Sequence, residues 1–544
     1  MNHKYLIGTL YFLITVQLSS YSQISEEEDE GKVFFENQKA EGQNINILVW
    51  GGGYSPSGNQ VSLESNVKYF HRIKDKMGLG RFKSCTLFAD GKAKNRDIQF
   101  RDPNFSVPEP NLIIAEIFGT TRGIYNQYRD NRLNADGPSS INALDNWFRD
   151  LNTTHKNSLN LIYFTGHGGK GDKKTPHNTT THLWNNQKFK VSDLAKKLDS
   201  IQPTQSTILI MVQCYSGGFA NYIFNEGNSE KGLHPQIRAG FFATKHDRVA
   251  AGCTPDIREE NYQEYSTRFW EALCGESRIG KQIKRPDYDG DGKTSLSEAH
   301  AYVLINSNTI DLPIKTTDVF LRKFSSLDPP KDNNSTFLQQ SVQNSINHSK
   351  KLLNKNDSEI SDWIVVNAPI SKILNFSSSE SNATINAISQ RLGLQDENRY
   401  EQAKRKIEGL KKKRDGLSKT KKQKEDQGKE LKNKIKQRLR DEWPELANIH
   451  HPKVDSIKSL NNGAKLISLV NHPNQWNNLR KLKNEISKIE NERFSLEKNQ
   501  VLSMRLKFEI ENIVLSEALN NIASPKIIER YKEIEKLEKT TFEF

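Results

Sequence analysis

Short apolar runs recur between residues 45 and 324, each followed by glycine or polar residues and then by a stretch with helical spacing. Residues 45–50 form the first such run and end in Gly51-Gly52-Gly53. Runs at 86–88, 112–118, 159–164, 207–212, 239–244 and 249–252 have the same character. They lack strict alternation, so each predicts a strand buried on both faces. Residues 141–151, 191–198 and 265–273 instead carry apolar positions at helical spacing. Strands alternating with helices predict βαβ units and an α/β fold around a mostly parallel sheet.

The pattern then changes. Residues 326–395 are rich in Ser, Asn and Asp and read as a connector with some short helices. From residue 396 the chain is Lys/Glu-rich. Leu479, Leu482, Ile486 and Ile489 are spaced 3, 4, 3, a coiled-coil seam, and Ile407, Leu410 and Leu417 suggest an opposing arm. Pro444, Pro452 and Pro473 interrupt the middle, which predicts a helical hairpin or small bundle rather than one rod. The expected organisation is thus an α/β unit over 44–325, a connector over 326–395 and a helical coiled-coil unit over 396–544.

Composition adds compartment and charge. Of 544 residues, 35% are apolar and 27% charged, the balance of a soluble chain with a large solvated fraction. Length alone predicts more than one core. Lys4, the apolar stretch 5–18 and Ser20-Tyr21-Ser22 read as a secretory signal peptide over 1–22, cleaved near Ser22–Gln23. An uncleaved anchor is the alternative, and no other stretch is long and apolar enough to span a bilayer. The acidic patch 26–30 makes 23–43 a disordered acidic leader. The expected location is therefore secreted or periplasmic. Four cysteines, Cys85, Cys214, Cys253 and Cys274, are too few for a disulfide framework, and their pairing stays open. Residues 401–440 hold 17 Lys and Arg against 6 Asp and Glu, which leaves +11 of the whole chain's +13. Few aromatics accompany them, so a solvated coiled-coil face is favoured over nucleic-acid binding. Self-association through the coiled coil is the partner this region suggests.

Two of the predicted strands run into loops with chemistry. One ends at Thr165-Gly166-His167-Gly168-Gly169, the other at Gln213-Cys214-Tyr215-Ser216-Gly217. In an open parallel sheet, ligands bind beyond the carboxyl ends of the strands. A thiol and an imidazole at neighbouring strand ends can act as nucleophile and general base. The backbone N–H groups of Gly168 and Cys214 are then the candidates for stabilising an oxyanion, each worth about 3 kcal/mol in the transition state.

Residues 163–169 and 211–217 resemble the His and nucleophile motifs of the caspase–legumain clan of cysteine peptidases, and 239–270 is similar to the downstream region of the legumain branch. The resemblance implies a caspase-like three-layer sandwich, a Cys214–His167 dyad, endopeptidase action on a peptide or protein, and no organic cofactor. Where legumains carry an Asn and then an Arg–His pair, this chain has Pro56, Gly58 and Asn59, so neither the Asn nor the pocket Arg is matched. Asn59 and Glu264 are the positions the alignment offers for a substrate pocket. A lone Glu264 there favours a Lys or Arg side chain; a solvated helix position is the alternative. Two other outcomes stay open: a catalytically silent caspase-like scaffold acting through its coiled coil, and a transamidase using the same dyad.

A second motif lies at 287–298. Asp287, Asp289, Asp291 and Glu298 occupy positions 1, 3, 5 and 12, with Gly292 at 6, the Lys293 carbonyl at 7 and Ser295 at 9. That is the spacing of an EF-hand calcium loop. Pro286 abuts it in place of an entering helix, so a single structural Ca²⁺ site is expected. An Asp/Gly-rich surface turn is the alternative.

Overall fold

The structure is a computed structural model that describes residues 44–153, 158–325 and 364–542. Residues 1–43, expected to hold a signal peptide and an acidic leader, and residues 326–363 of the expected connector lie outside the described residues. The strands are β1 (Ile45–Gly52), β2 (Ser84–Phe88), β3 (Ile98–Phe100), β4 (Gln127–Arg129), β5 (Leu159–Gly169), β6 (Thr180–His182), β7 (Lys188–Lys190), β8 (Ser206–Val212), β9 (Arg238–Phe242) and β10 (Ile314–Lys315). The main sheet has the order β2-β1-β5-β8-β9-β10. Its first five strands are parallel and β10 closes one edge antiparallel to β9. The end of β5 also leaves the main ladder to pair with β6.

Successive strand residues enter opposite cores, as the pleat requires. Leu48, Trp50, Ile162, Phe164, Leu209 and Met211 face one side, and Ile47, Val49, Leu161, Tyr163, Ile208 and Ile210 the other. Helices α1 (Val61–Ile73), α5 (Tyr265–Cys274) and α6 (Leu296–Asn306) cover the second face. Helices α3 (Ile141–Leu151), α4 (Val191–Asp199) and α7 (Thr316–Phe324) cover the first. Ser140 caps α3 by accepting from Ala143 N–H, and α6 starts in a capping box between Ser295 and Glu298.

Two expected strands are absent. Residues 112–118 belong to helix α2 (Glu109–Phe118), which follows Pro108 and has a proline in its first turn. Its Ile113, Ile114 and Ile117 pack against Ile435, Leu439, Leu466 and Trp476 of the C-terminal region, so tertiary burial overrides the strand preference of the isoleucines. Residues 249–252 form no ladder. Gly252 (φ 130°) and Cys253 (φ 57°) break the extended backbone there, and Ala251 N–H is taken by the Asp311 carboxylate.

The C-terminal region contains α8 (Ser379–Leu392), α9 (Arg399–Glu442), α10 (Gln475–Ile522) and α11 (Pro525–Glu538). α9 and α10 run antiparallel, as the pairs Arg414–Glu497, Lys421–Glu490 and Lys424–Glu485 require. The predicted hairpin is therefore present, with Pro444 and Pro473 in its connection. Among the described residues no helix is long and apolar enough to cross a membrane. The hairpin's base does not own a separate core: Ile385, Leu506, Leu515 and Ile534 belong to the same cluster as Leu209, Phe242 and Phe320.

A shared core has a measurable consequence. Leu506 is fully buried in that cluster, so Leu506→Ala is expected to lower stability by about 2–5 kcal/mol. Urea unfolding should stay a single transition for sheet and tail together. Separate transitions for the two would overturn the shared core.

Candidate active site

β5 and β8 are neighbours, with Thr165 opposite Val212 at the end of their ladder. His167 and Cys214 each lie two residues beyond that pair. The two loops meet directly. A Cβ built on Gly168 would stand 2.1 Å from the Cys214 carbonyl oxygen and 2.6 Å from Gln213 Cγ, so only glycine allows this approach. After Cys214, Tyr215 turns the chain with φ 61° and gives its N–H to Arg248 O.

His167 is half-buried, and its Nε2 lies 2.7 Å from Gly58 O and 3.0 Å from Gln60 Oε1. The Gln60 amide nitrogen donates to Ser57 O at 3.1 Å, which leaves its oxygen toward the imidazole. Both neighbours of Nε2 are acceptors, so the neutral ring carries its proton on Nε2 and keeps the Nδ1 lone pair free. Burial lowers the ring's pKa below its ordinary value, with the Gly58 carbonyl opposing.

Cys214 is also half-buried. Its Sγ lies 3.4 Å from Ala250 N and 3.9 Å from Ala250 O. The thiol and the imidazole make no hydrogen bond to one another in this geometry. Burial raises the thiol pKa, the Ala250 backbone lowers it, and the Asp311 carboxylate raises it further. Both members of the pair are thus held neutral. An open pocket of about 330 Å³ is lined by His167 together with Tyr54, Gly168, His182, Asn186 and Lys188, and Cys214 is not among its walls. Tyr54 stands edge-on to both His167 and His182.

The two residues expected in a substrate pocket are elsewhere. Asn59 is fully buried; its Oδ1 accepts from Gly53 N at 2.9 Å and its Nδ2 donates to Asp97 at 3.0 Å. It braces the turn that presents Gly58 O. Glu264 is 2% exposed, neither solvated nor open to a pocket. It sits beneath Gly252 and accepts from Thr267 Oγ1 at 3.4 Å; burial raises its pKa, against the attraction of Arg278. Sequence reasoning missed Gly58 O, Gln60 and Ala250, which act through backbone or amide groups with no signature of their own. Tyr54, directly after the Gly51-Gly52-Gly53 loop, was the findable member.

In the other motif, Asp287, Asp289 and Asp291 bring carboxylate oxygens within 4.8 Å of one another. Their turns are closed by Gly290 N–H and Gly292 N–H donating to Asp287, and Lys293 N–H to Asp291. Glu298 is turned to the backbone: it accepts from Tyr288 N at 2.5 Å and Ser295 N at 2.8 Å. Three exposed carboxylates fit a hard cation; Glu298 and Ser295 serve as the helix cap in this geometry.

No protein-family model and no curated protein matches the sequence. Among solved structures, the crystal structure of protein GSU0716 from Geobacter sulfurreducens is similar at 11% identity over 50% of this chain and 92% of that one, with a TM-score of 0.28.

The neutral imidazole is open to test. His167 is expected to stay uncharged with its proton on Nε2 down through pH 6.5, read by ¹⁵N imidazole shifts. Because the folded ring resists protonation, its contribution leaves stability flat above about 6.5 and lowers it as pH falls from there toward the folded value. A ring that titrates at or above 6.5 would contradict the burial.

Proposed function

We propose that the protein is an exported cysteine endopeptidase of the caspase–legumain kind, which hydrolyses peptide bonds through a Cys214 thioester. The observation that carries the reading is the pairing of β5 with β8, which brings the His167 and Cys214 loops into contact beyond the carboxyl ends of a parallel sheet. Helices on both faces of that sheet and its antiparallel edge strand favour the caspase-like sandwich.

In the proposed reaction, Cys214 Sγ attacks the scissile carbonyl as its proton passes to His167 Nδ1. The Nε2–H bond to Gly58 O holds the ring in the required tautomer and eases the positive charge that forms. The oxyanion is offered the N–H groups of Gly168 and Cys214. His167 then gives its proton to the leaving amine, and water hydrolyses the thioester. Gly58 O takes the orienting role left without a side chain when Pro56, Gly58 and Asn59 replace the legumain pattern. Asn59 and Glu264 have no part in substrate recognition, since both side chains are enclosed. The Asp287, Asp289 and Asp291 carboxylates are proposed to hold Ca²⁺ as a structural ion. A silent scaffold is the second reading, favoured by the missing thiol–imidazole hydrogen bond and the raised thiol pKa.

Wild-type protein and Cys214→Ala, each given a mixed peptide library with calcium, separate the two. The peptidase reading expects cleavage by the wild type and a loss of about three orders of magnitude or more in the variant. No wild-type cleavage, or equal cleavage by both, favours the scaffold. For the metal, chelation is expected to lower Tm by several degrees, since an ion bound only to the folded state stabilises it. An unchanged Tm would remove the calcium proposal.

A further inference from the structure

Helix α10 drives a cation into the loop that backs the nucleophile. Arg505 is 2% exposed. Its Nε donates to Asp311 O at 2.9 Å, its Nη1 to Leu304 O and Ser307 O at 3.1 and 3.0 Å, and its Nη2 to Asp311 O at 2.7 Å and Thr309 Oγ1 at 3.2 Å. These bonds gather the whole turn between α6 and β10 around one guanidinium. Held in that turn, Asp311 is 1% exposed and its Oδ1 accepts from Ala251 N at 2.6 Å. The adjoining residue, Ala250, is the one whose N–H and carbonyl meet Cys214 Sγ.

The same segment is fastened to α10 at two further points. The Arg248 guanidinium stands 4.0 Å from Glu497, while its carbonyl takes Tyr215 N–H at 2.8 Å. Lys245 Nζ lies over the Phe508 ring at 5.9 Å. Residues 245–251 are thus pinned between the nucleophile loop on one side and the tail helix on the other.

We propose that Arg505 is a positioning residue: through Asp311 and Ala251 it fixes the backbone that hydrogen-bonds Cys214, which makes the tail a working part of the active site. The inference rests on Cys214 being the nucleophile. The turn carbonyls could be satisfied by ordered waters, each donating to two of them. A buried guanidinium reaching them across 194 residues of sequence instead makes the turn's shape depend on the tail. Asp311 faces Arg505 from α10, Glu264 from the segment before α5, and Cys214 across the loop. Burial raises the Asp311 carboxyl to about 7, and Arg505 opposes that rise.

The test uses the full-length protein with Arg505→Gln, Arg505→Lys, Asp311→Ala and Asp311→Asn. Two quantities are read: kcat and KM for Cys214-dependent cleavage, and the pH profile of Cys214 alkylation followed by mass spectrometry of its peptide. Arg505→Gln and Asp311→Ala are expected to lower kcat about tenfold or more with KM within about twofold. Arg505→Gln should move the alkylation profile to higher pH, because the Ala250 N–H no longer steadies the thiolate; Asp311→Ala should lie at higher pH than Asp311→Asn, since both lose the carboxylate charge and only the alanine also loses the acceptor for Ala251 N–H. Arg505→Lys should fall between. Asp311→Asn keeps an acceptor for Ala251 N–H and removes a negative charge, so it should retain most of kcat and move the profile to lower pH. Folded Arg505→Gln with wild-type kcat and a wild-type profile would overturn the proposal. If Arg505→Gln does not fold, the contrast of Asp311→Ala with Asp311→Asn decides, equal behaviour of the two being the contrary result. A wild type that does not cleave defeats the peptidase reading alone, since the alkylation profiles still report whether Arg505 and Asp311 set the environment of Cys214.

Discussion

Parallel hydrogen bonding between β5 and β8 sets where the two reactive side chains can stand. Neighbouring strands run about 4.8 Å apart, and this ladder closes with Thr165 opposite Val212. Two residues further on, His167 and Cys214 leave adjacent strand ends at the same level. A slip of one residue in either strand would turn its side chain to the other face of the sheet. The slip is resisted by the cores on both faces, because Tyr163 and Ile210 would exchange places with Phe164 and Met211. The register that packs the protein is therefore also the register that brings together the loops carrying the thiol and the imidazole. Gly168 completes it, since any side chain there would push the Cys214 carbonyl away.

Burial then decides the charge state of the pair. Withdrawal from water disfavours the thiolate and the imidazolium alike, so it raises one pKa and lowers the other. The resting pair is thiol and neutral imidazole. An ion pair is not the starting point; the proton would move as the nucleophile attacks. This has a protective side. Thiolate character governs oxidation and alkylation, so a neutral Cys214 is less exposed to both. It also makes the orientation of His167 decisive, because the Nε2–H bond to Gly58 O leaves Nδ1 as the ring's only lone pair.

Much of this could be read along the chain. Apolar runs followed by glycine-bearing loops marked β1, β5 and β8, and the two loops carrying His167 and Cys214 stood out because small residues and reactive groups share them. The helical hairpin was legible from its heptad seam. What escaped were features whose cause is distant in sequence. Residues 112–118 have the composition of a strand, yet α2 is helical because its isoleucines meet α9 and its neighbours. Asn59 and Glu264 were polar residues near aligned positions, but solvent access is a tertiary property, and both are enclosed. Gly58 O and the Ala250 backbone escaped for another reason: every residue has a carbonyl and an N–H, so no residue type announces their use.

The tail shows how charge can fix orientation without binding tightly. Exposed pairs along the hairpin, such as Lys421–Glu490 and Lys434–Glu430, contribute at most about 1 kcal/mol each in water. The buried charges are different. Arg505 is buried against the α6–β10 turn, and Glu538 is buried against Lys315 and the Thr317 N–H and hydroxyl. Breaking a buried pair leaves an uncompensated charge at a cost of about 3–5 kcal/mol. Apolar residues of α10 could pack on the sheet layer in several registers at similar cost, but only one register satisfies both buried charges. The positive excess of 401–440 therefore lies on the solvated arm, while the register of the tail on the α/β layer is set by buried charges in its C-terminal part, Arg505 within α10 and Glu538 at the end of α11.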